Sequence, residues 1–180
     1  MYPMLHDAVT LRHFASVGRL DILQNCHSQY DAPLWTSGVR QEIVAASSHD
    51  PNCNTILAQQ WLGQPIRPDQ IEEKEIYRLQ VGLRPGQTGI REHRGEAECI
   101  YFAEQLGGGF ATDDAAAYDF ALRYSNMPGK VVDTIDILRE AVAHNAISDI
   151  EADFVAQQME GAGRIFRKTH RGGRGPSYFR

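Results

Sequence analysis

A set of acidic residues stands where shared chemistry explains it better than surface charge does: Asp7 and the pair Asp113-Asp114 after apolar runs, and Glu42 and Glu96 on helix faces. Asp7 comes directly after a short apolar run. Asp113 and Asp114 follow Phe110-Ala111-Thr112. Taken singly, each of these aspartates also reads as a helix N-cap, a position aspartate fills well. Glu42 and Glu96 are harder to explain as surface charge. Helical residues advance about 100° each, which puts Glu96 within about 40° of Ile100 and about 20° of Ala103, on the side facing a core. Glu98 falls about 200° away, with Gln105, on the side expected to be wet. Glu42 shares a side with Val39 and Ala46. A carboxylate on an apolar face is costly unless it is paired or bound to a metal. Two carboxylates about 4 Å apart repel by roughly 4 kcal/mol at an effective dielectric near 20. A hard divalent cation with oxygen ligands, Mg²⁺ or Mn²⁺, is the usual compensation. Such ions serve phosphoryl chemistry by activating a water and neutralising phosphate charge.

The elements needed to bring these acids together can be read from the pattern of 180 residues. Leu5 to Ala8 reads as the end of a first short strand, and Leu11, Phe14 and Ala15 mark a following helix. Ala32-Pro33-Leu34-Trp35 reads as a second strand, after which Thr36 or Ser37 caps a helix through Ala46. His49 to Asn54 is expected as a loop, Thr55 to Leu62 as helix, and Asp69 as the cap of a helix reaching about Gln80. A helix over Gly95 to Leu106 stops at Gly107-Gly108-Gly109, and Phe110 to Thr112 is the third strand. Lys130 to Val132 is the fourth strand, leading into a helix over Thr134 to His144. Ser148 and Glu151 form a capping box for the last helix. Strands alternating with helices imply an α/β chain with a central parallel sheet covered on both faces. Its ligands should bind beyond the carboxyl ends of the strands.

Other classes are excluded or disfavoured. Three cysteines, Cys26, Cys53 and Cys99, are an odd number without C-x-x-C spacing, so a zinc ribbon or disulfide framework is not expected and the thiols read as small buried hydrophobes. No apolar stretch approaches the roughly 20 residues of a membrane span, and Met1 to Asp7 lacks the pattern of a secretory signal; a reducing cytoplasm is the natural location. The seven histidines lack H-x-x-x-H spacing, and His6 and His13 read as surface or supporting groups. Gly129-Lys130 lacks the upstream glycine of a phosphate loop. Trp35 and Trp61 read as core or interface anchors. Net charge is −5, unevenly spread. Residues 161–180 carry six basic residues and no acid, leaving twelve basic against 23 acidic residues before them, a net of −11. An acidic body of residues 1–163 thus carries a basic tail, residues 164–180. Arg164, Arg167, Lys168 and Arg171, near Phe166, Tyr178 and Phe179, could track an RNA backbone.

The motifs resemble those of the PIN-domain ribonucleases, in particular the VapC-like toxins of toxin–antitoxin pairs and a PIN-like branch related to them. Asp7-Ala8-Val9-Thr10-Leu11 leads to Gly18-Arg19-Leu20-Asp21-Ile22-Leu23 in the branch's register. Val39-Arg40-Gln41-Glu42-Ile43, Gly95-Glu96-Ala97-Glu98-Cys99-Ile100 and Thr112-Asp113-Asp114 follow in family order, and Asp133-Thr134-Ile135-Asp136-Ile137-Leu138 resembles the branch's later helix start. The similarity spans roughly Asp7 to Arg167. It implies a three-layer α/β/α PIN-like fold and a Mg²⁺- or Mn²⁺-dependent endoribonuclease leaving a 5′-phosphate and a 3′-hydroxyl. It also implies a cognate antitoxin and a homodimer. The family's acidic quartet falls on Asp7, Glu42, Glu96 and Asp114, with Asp7, Glu96 and Asp114 holding metal. Glu98, Asp113, Thr112 and Thr134 are further ligands or supporting groups. The chain departs from the family at Val9, where a small hydroxyl residue is usual, at Asp133, where a glycine is usual, and over Leu83 to Arg94. A catalytically inactive PIN-fold binding or scaffold module is the alternative, and a phospho-receiver domain is disfavoured because His6-Asp7 is a poor acidic pair.

Overall fold

A computed structural model describes residues 3–27, 34–83, 92–127, 130–164, 166 and 179. Among these, three short strands, β1 (Met4–His6), β2 (Gly109–Ala111) and β3 (Val131–Val132), form one parallel sheet in that order. Leu5 pairs with Phe110, and Phe110 with Val131. Every strand residue is buried, so both faces of the sheet are covered. Gly109 is required at its position: a Cβ there would lie 2.6 Å from the Lys130 carbonyl.

The helices are α1 (Ala8–Ser16), α2 (Leu20–His27), α3 (Ser37–Ala46), α4 (Asn52–Leu57), α5 (Glu72–Leu83), α6 (Arg94–Gln105), α7 (Ala115–Tyr124), α8 (Thr134–Ala143) and α9 (Asp149–Gly161), with a single 3₁₀ turn at Gln60–Leu62. In α1 the expected face, Leu11, Phe14 and Ala15, is buried in the core. Helix α6 lies against β1 and β2 and is flanked by α3 and α5. This is an α/β architecture.

The expected second strand at Ala32 to Trp35 does not form among the described residues; Ala32 and Pro33 lie outside them. Leu34 accepts one hydrogen bond from the His6 N–H, and Thr36 makes an isolated bridge to Ile66. Thr36 already caps α3, which leaves no length for a ladder. Among the described residues the sheet therefore has three strands where four were expected. Helix α4 begins inside the stretch expected as the His49 to Asn54 loop. The expected capping box at Ser148 is half formed: its hydroxyl accepts from the Glu151 N–H, but the Glu151 carboxylate pairs with Arg19 at 2.8 Å. The reciprocal box stands instead at α8, between Asp133 and Asp136. All three cysteines are buried thiols outside any disulfide, and Trp35 is a core residue. His6 is a buried core residue rather than a surface group, 3.1 Å from His27. Burial and the neighbouring ring hold His6 well below the usual histidine range, and burial pushes His27 down to about 4. Phe166 is buried with its ring edge-on to His13.

Candidate acidic site beyond the strand ends

Each strand exits into an aspartate. Asp7 follows β1, Thr112-Asp113-Asp114 follows β2, and Asp133 follows β3. The ladder continues through these exits: the Asp7 N–H donates to the Ala111 carbonyl at 3.0 Å, and the Thr112 N–H to that of Val132 at 2.9 Å. Asp7, Asp114 and Asp133 each cap the helix that begins there. The positive ends of α1, α7 and α8 therefore meet the acids, and the first turn of α6 brings Glu96. Each helix terminus offsets typically 0.3–1 kcal/mol of the crowding of negative charge. The cap and the site candidate are thus one residue at Asp7 and at Asp114.

Asp7 is 2% exposed. Its Oδ1 accepts from the Thr10 N–H at 2.6 Å, and its Oδ2 accepts from the Thr112 hydroxyl. The Thr112 oxygen also accepts from the Asp114 N–H at 3.1 Å, so one side chain ties two acids of the expected quartet together. Thr112 supplies a hydroxyl to Asp7 although position 9 is valine. Burial pushes the Asp7 carboxyl well above the usual range, against the pull of Thr112 and Thr10, and the charge of Asp113 adds to the rise.

Glu42, on α3, reaches the first turn of α6, where its Oε1 accepts from the Gly95 N–H at 3.0 Å. A Cβ at position 95 would lie 2.6 Å from that oxygen, so only glycine permits the approach. Burial pushes Glu42 up to about 7, the charges of Glu96 and Glu98 add to the rise, and the Gly95 N–H opposes it. Glu96 is 9% exposed, and its Oε2 has no hydrogen-bond partner. The Cys99 thiol lies in the field of Asp7, Glu96, Glu98 and Glu42; burial first, and then these charges, push it well above the usual thiol range. It is a neutral filler between the carboxylates.

The remaining acids face elsewhere. Glu98, expected on the wet side of α6, is 1% exposed. The simple wheel fails because α6 is covered on more than one side, by α3 and α5 as well as by the sheet. Glu98 Oε2 accepts from the Gly38 N–H at 2.7 Å, and Oε1 from Arg94 Nε at 2.6 Å. Arg94 also binds Glu73 at 2.7 Å. Asp113 pairs with His13 Nδ1 at 2.6 Å and accepts from the Thr134 N–H and hydroxyl. Burial raises the Asp113 carboxyl, but His13 and Thr134 outweigh it and hold the group below its usual range. Glu98 and Asp113 are thus satisfied by protein partners, and Thr134 acts on Asp113 rather than on the quartet. Asp133, buried at the start of α8, accepts from the Asp136 N–H at 3.1 Å.

His93 was not among the residues singled out from the sequence. It precedes α6 with a left-handed backbone (φ 55°). One ligand atom each from His93, Glu96 and Asp114 lies within 4.8 Å of the others. The signal was the His-x-x-Glu spacing at 93 and 96, which a search for paired histidines passes over. In the tail, Arg164 is half-buried, and Arg167, Lys168 and Arg171 lie outside the described residues. Among the described residues, no helix is long and apolar enough to cross a membrane. Comparison with protein-family models, with curated proteins and with solved structures found no match. Function must therefore be read from the side chains themselves.

Proposed function

We propose that this chain is a divalent-metal-dependent endoribonuclease of the PIN-like kind, built as a three-layer α/β/α domain. The observation that carries the proposal is the meeting of acids from distant segments beyond the strand ends, with Glu42 held at about 7 and Glu96 Oε2 unsatisfied. A crowded acidic pocket of this kind suits a hard or borderline dication. Asp7, Glu96 and Asp114 would hold Mg²⁺ or Mn²⁺. Bound there, such an ion would supply an activated water and neutralise charge on the phosphate.

The protein's own part is positioning and proton transfer. Thr10 and Thr112 fix the Asp7 carboxylate through one hydrogen bond to each oxygen. Glu42, anchored by the Gly95 N–H, has a proton affinity matched to neutral pH, which suits a general base that takes a proton from an attacking water. In-line attack at a backbone phosphorus would release the 3′ oxygen. A cognate antitoxin, a homodimer, RNA contacts from Arg164, Arg167, Lys168 and Arg171, and a cytoplasmic location belong to the same proposal.

The test is cleavage of single-stranded RNA by wild type, Asp7→Asn and Asp114→Asn in the presence of Mg²⁺ or Mn²⁺. Both variants are expected to lose metal-dependent cleavage while keeping the wild-type circular dichroism. Cleavage at the wild-type rate by either would refute the assignment.

One observation favours a second reading, an inactive binding or scaffold module. Asp7 and Asp114 are already used as helix caps, so acids at these positions have a structural duty as well. Calorimetric titration with Mn²⁺ separates the two, because a scaffold has no need of a cation site.

A further inference from the structure

The tightest group of potential ligands in the acidic site contains a nitrogen. Glu96 is more than nine-tenths buried, and its Oε2 is shut from solvent without any hydrogen-bond donor. His93 Nδ1 is in the same condition. It lies 3.4 Å from Glu96 Oε1 but makes no hydrogen bond there. Asp114 completes the group, with one ligand atom of each residue within 4.8 Å of the others. Two buried polar atoms left without partners on neighbouring side chains are costly in a protein on its own. An ion that accepts a lone pair from each removes that cost. Ligand atoms about 2.1 Å from a common ion lie about 3 Å apart when adjacent and about 4 Å apart when opposite. The group, within 4.8 Å, is slightly wider than this, and its side chains would have to close on the ion.

We propose that His93 is a nitrogen ligand to the divalent ion of this site, alongside Glu96 and Asp114, and that it makes the site prefer a borderline transition-metal ion such as Mn²⁺ to Mg²⁺. The inference rests on the acidic pocket being a cation site, as argued above. Mg²⁺ demands oxygen ligands in near-ideal octahedral geometry and keeps several waters, so an imidazole adds little to its binding. Imidazole is a normal ligand for first-row transition-metal ions, whose affinity for mixed nitrogen and oxygen ligands rises along the series from Mn²⁺. The left-handed backbone at His93 sets its ring beside the first turn of α6, next to Glu96. A histidine three residues before a glutamate thus joins two ligands from one short segment to a third from the exit of β2.

The test uses the full chain stripped of metal by a chelator and titrated calorimetrically with Mn²⁺ or Mg²⁺. The variant is His93→Asn, because asparagine tolerates the left-handed backbone and removes only the imidazole. The wild type is expected to bind Mn²⁺ at least tenfold more tightly than Mg²⁺. Its Mn²⁺ complex is expected to show ¹⁴N modulation of the electron spin echo. His93→Asn should lose that modulation and about tenfold in Mn²⁺ affinity, keep its Mg²⁺ affinity within about threefold, and melt close to the metal-free wild type. Bound Mn²⁺ without ¹⁴N modulation in the wild type, or unchanged modulation and preference in His93→Asn, would overturn the role of His93 and leave the acidic site standing. Absence of binding of either ion to the wild type would overturn the cation site and this inference with it.

Discussion

Replacing Glu42 by glutamine should stabilise the metal-free protein at alkaline pH, the reverse of the usual effect of altering a half-buried residue. Burial and the charges of Glu96 and Glu98 lift Glu42 to about 7, against roughly 4.3 for a free glutamate. Between these values the unfolded chain has lost the proton and the native chain still holds it. The native state then binds more protons, so stability falls as pH rises through this window and stays low above it. A gap of this size corresponds to about 3–4 kcal/mol, and residual solvent screening reduces the expected effect to about 1–3 kcal/mol. Glutamine cannot ionise, and its Oε1 can still accept from the Gly95 N–H. In a chain of this length each kcal/mol moves the melting temperature by roughly 2–4 °C. Metal-free Glu42→Gln should therefore melt about 2–12 °C above wild type at pH 8, with little difference at pH 5. Saturating Mn²⁺ should raise wild type more than the variant, because the ion cancels the same repulsion. The assay is thermal melting by circular dichroism at both pH values, with chelator and with metal. A variant equally destabilised at pH 5 and pH 8 would show that Glu42 does not sit in a repulsive carboxylate cluster.

Two further outcomes follow from the packing around the site. Gly95→Ala places a methyl 2.6 Å from Glu42 Oε1 and 3.1 Å from Val39 Cγ2. It should cost about 1–3 kcal/mol in chemical denaturation and weaken Mn²⁺ binding by displacing Glu42 from the first turn of α6. His13→Ala leaves Asp113 buried without its imidazole partner and should cost about 3–5 kcal/mol at pH 7. Asp113 is held below its usual range in wild type, so the stabilisation it brings is present above about pH 4 and is lost as pH falls through the lowered native value. Urea titrations of wild type and His13→Ala should therefore draw closer as pH falls, the loss of buried ring packing remaining, and a gap of the same size at acid and neutral pH would refute the ion pair.

Much of the local structure was legible along the chain. The caps at Thr36, Asp114 and Ser148, the buried face of α1 and the glycine stop after α6 all follow from short-range rules, because a cap or an amphipathic face is decided by residues within one or two turns. The exits of the strands into acids were legible for the same reason. The second strand was not, because a strand exists only by pairing. Among the described residues the backbone there makes scattered bonds, His6 N–H to the Leu34 carbonyl, Leu34 N–H to the Leu62 carbonyl and the Thr36 to Ile66 bridge, and no ladder.

The sequence by itself determined which residues are acidic, where helices begin, and that Asp7 and Asp114 stand after strands. Only the tertiary structure decided which acids share a space and which are already satisfied. Glu98 and Asp113 sit one or two residues from site candidates, yet Arg94 and the Gly38 N–H take the first, and His13 and Thr134 take the second. Glu42 meets Gly95 across 53 residues, and the fate of Glu98 turns on the packing of α3 and α5 around α6. Helical periodicity describes one helix in isolation, whereas burial and charge pairing depend on what every neighbouring element presents. A site of this kind is therefore visible in the chain as a set of candidates, and its membership is settled by packing.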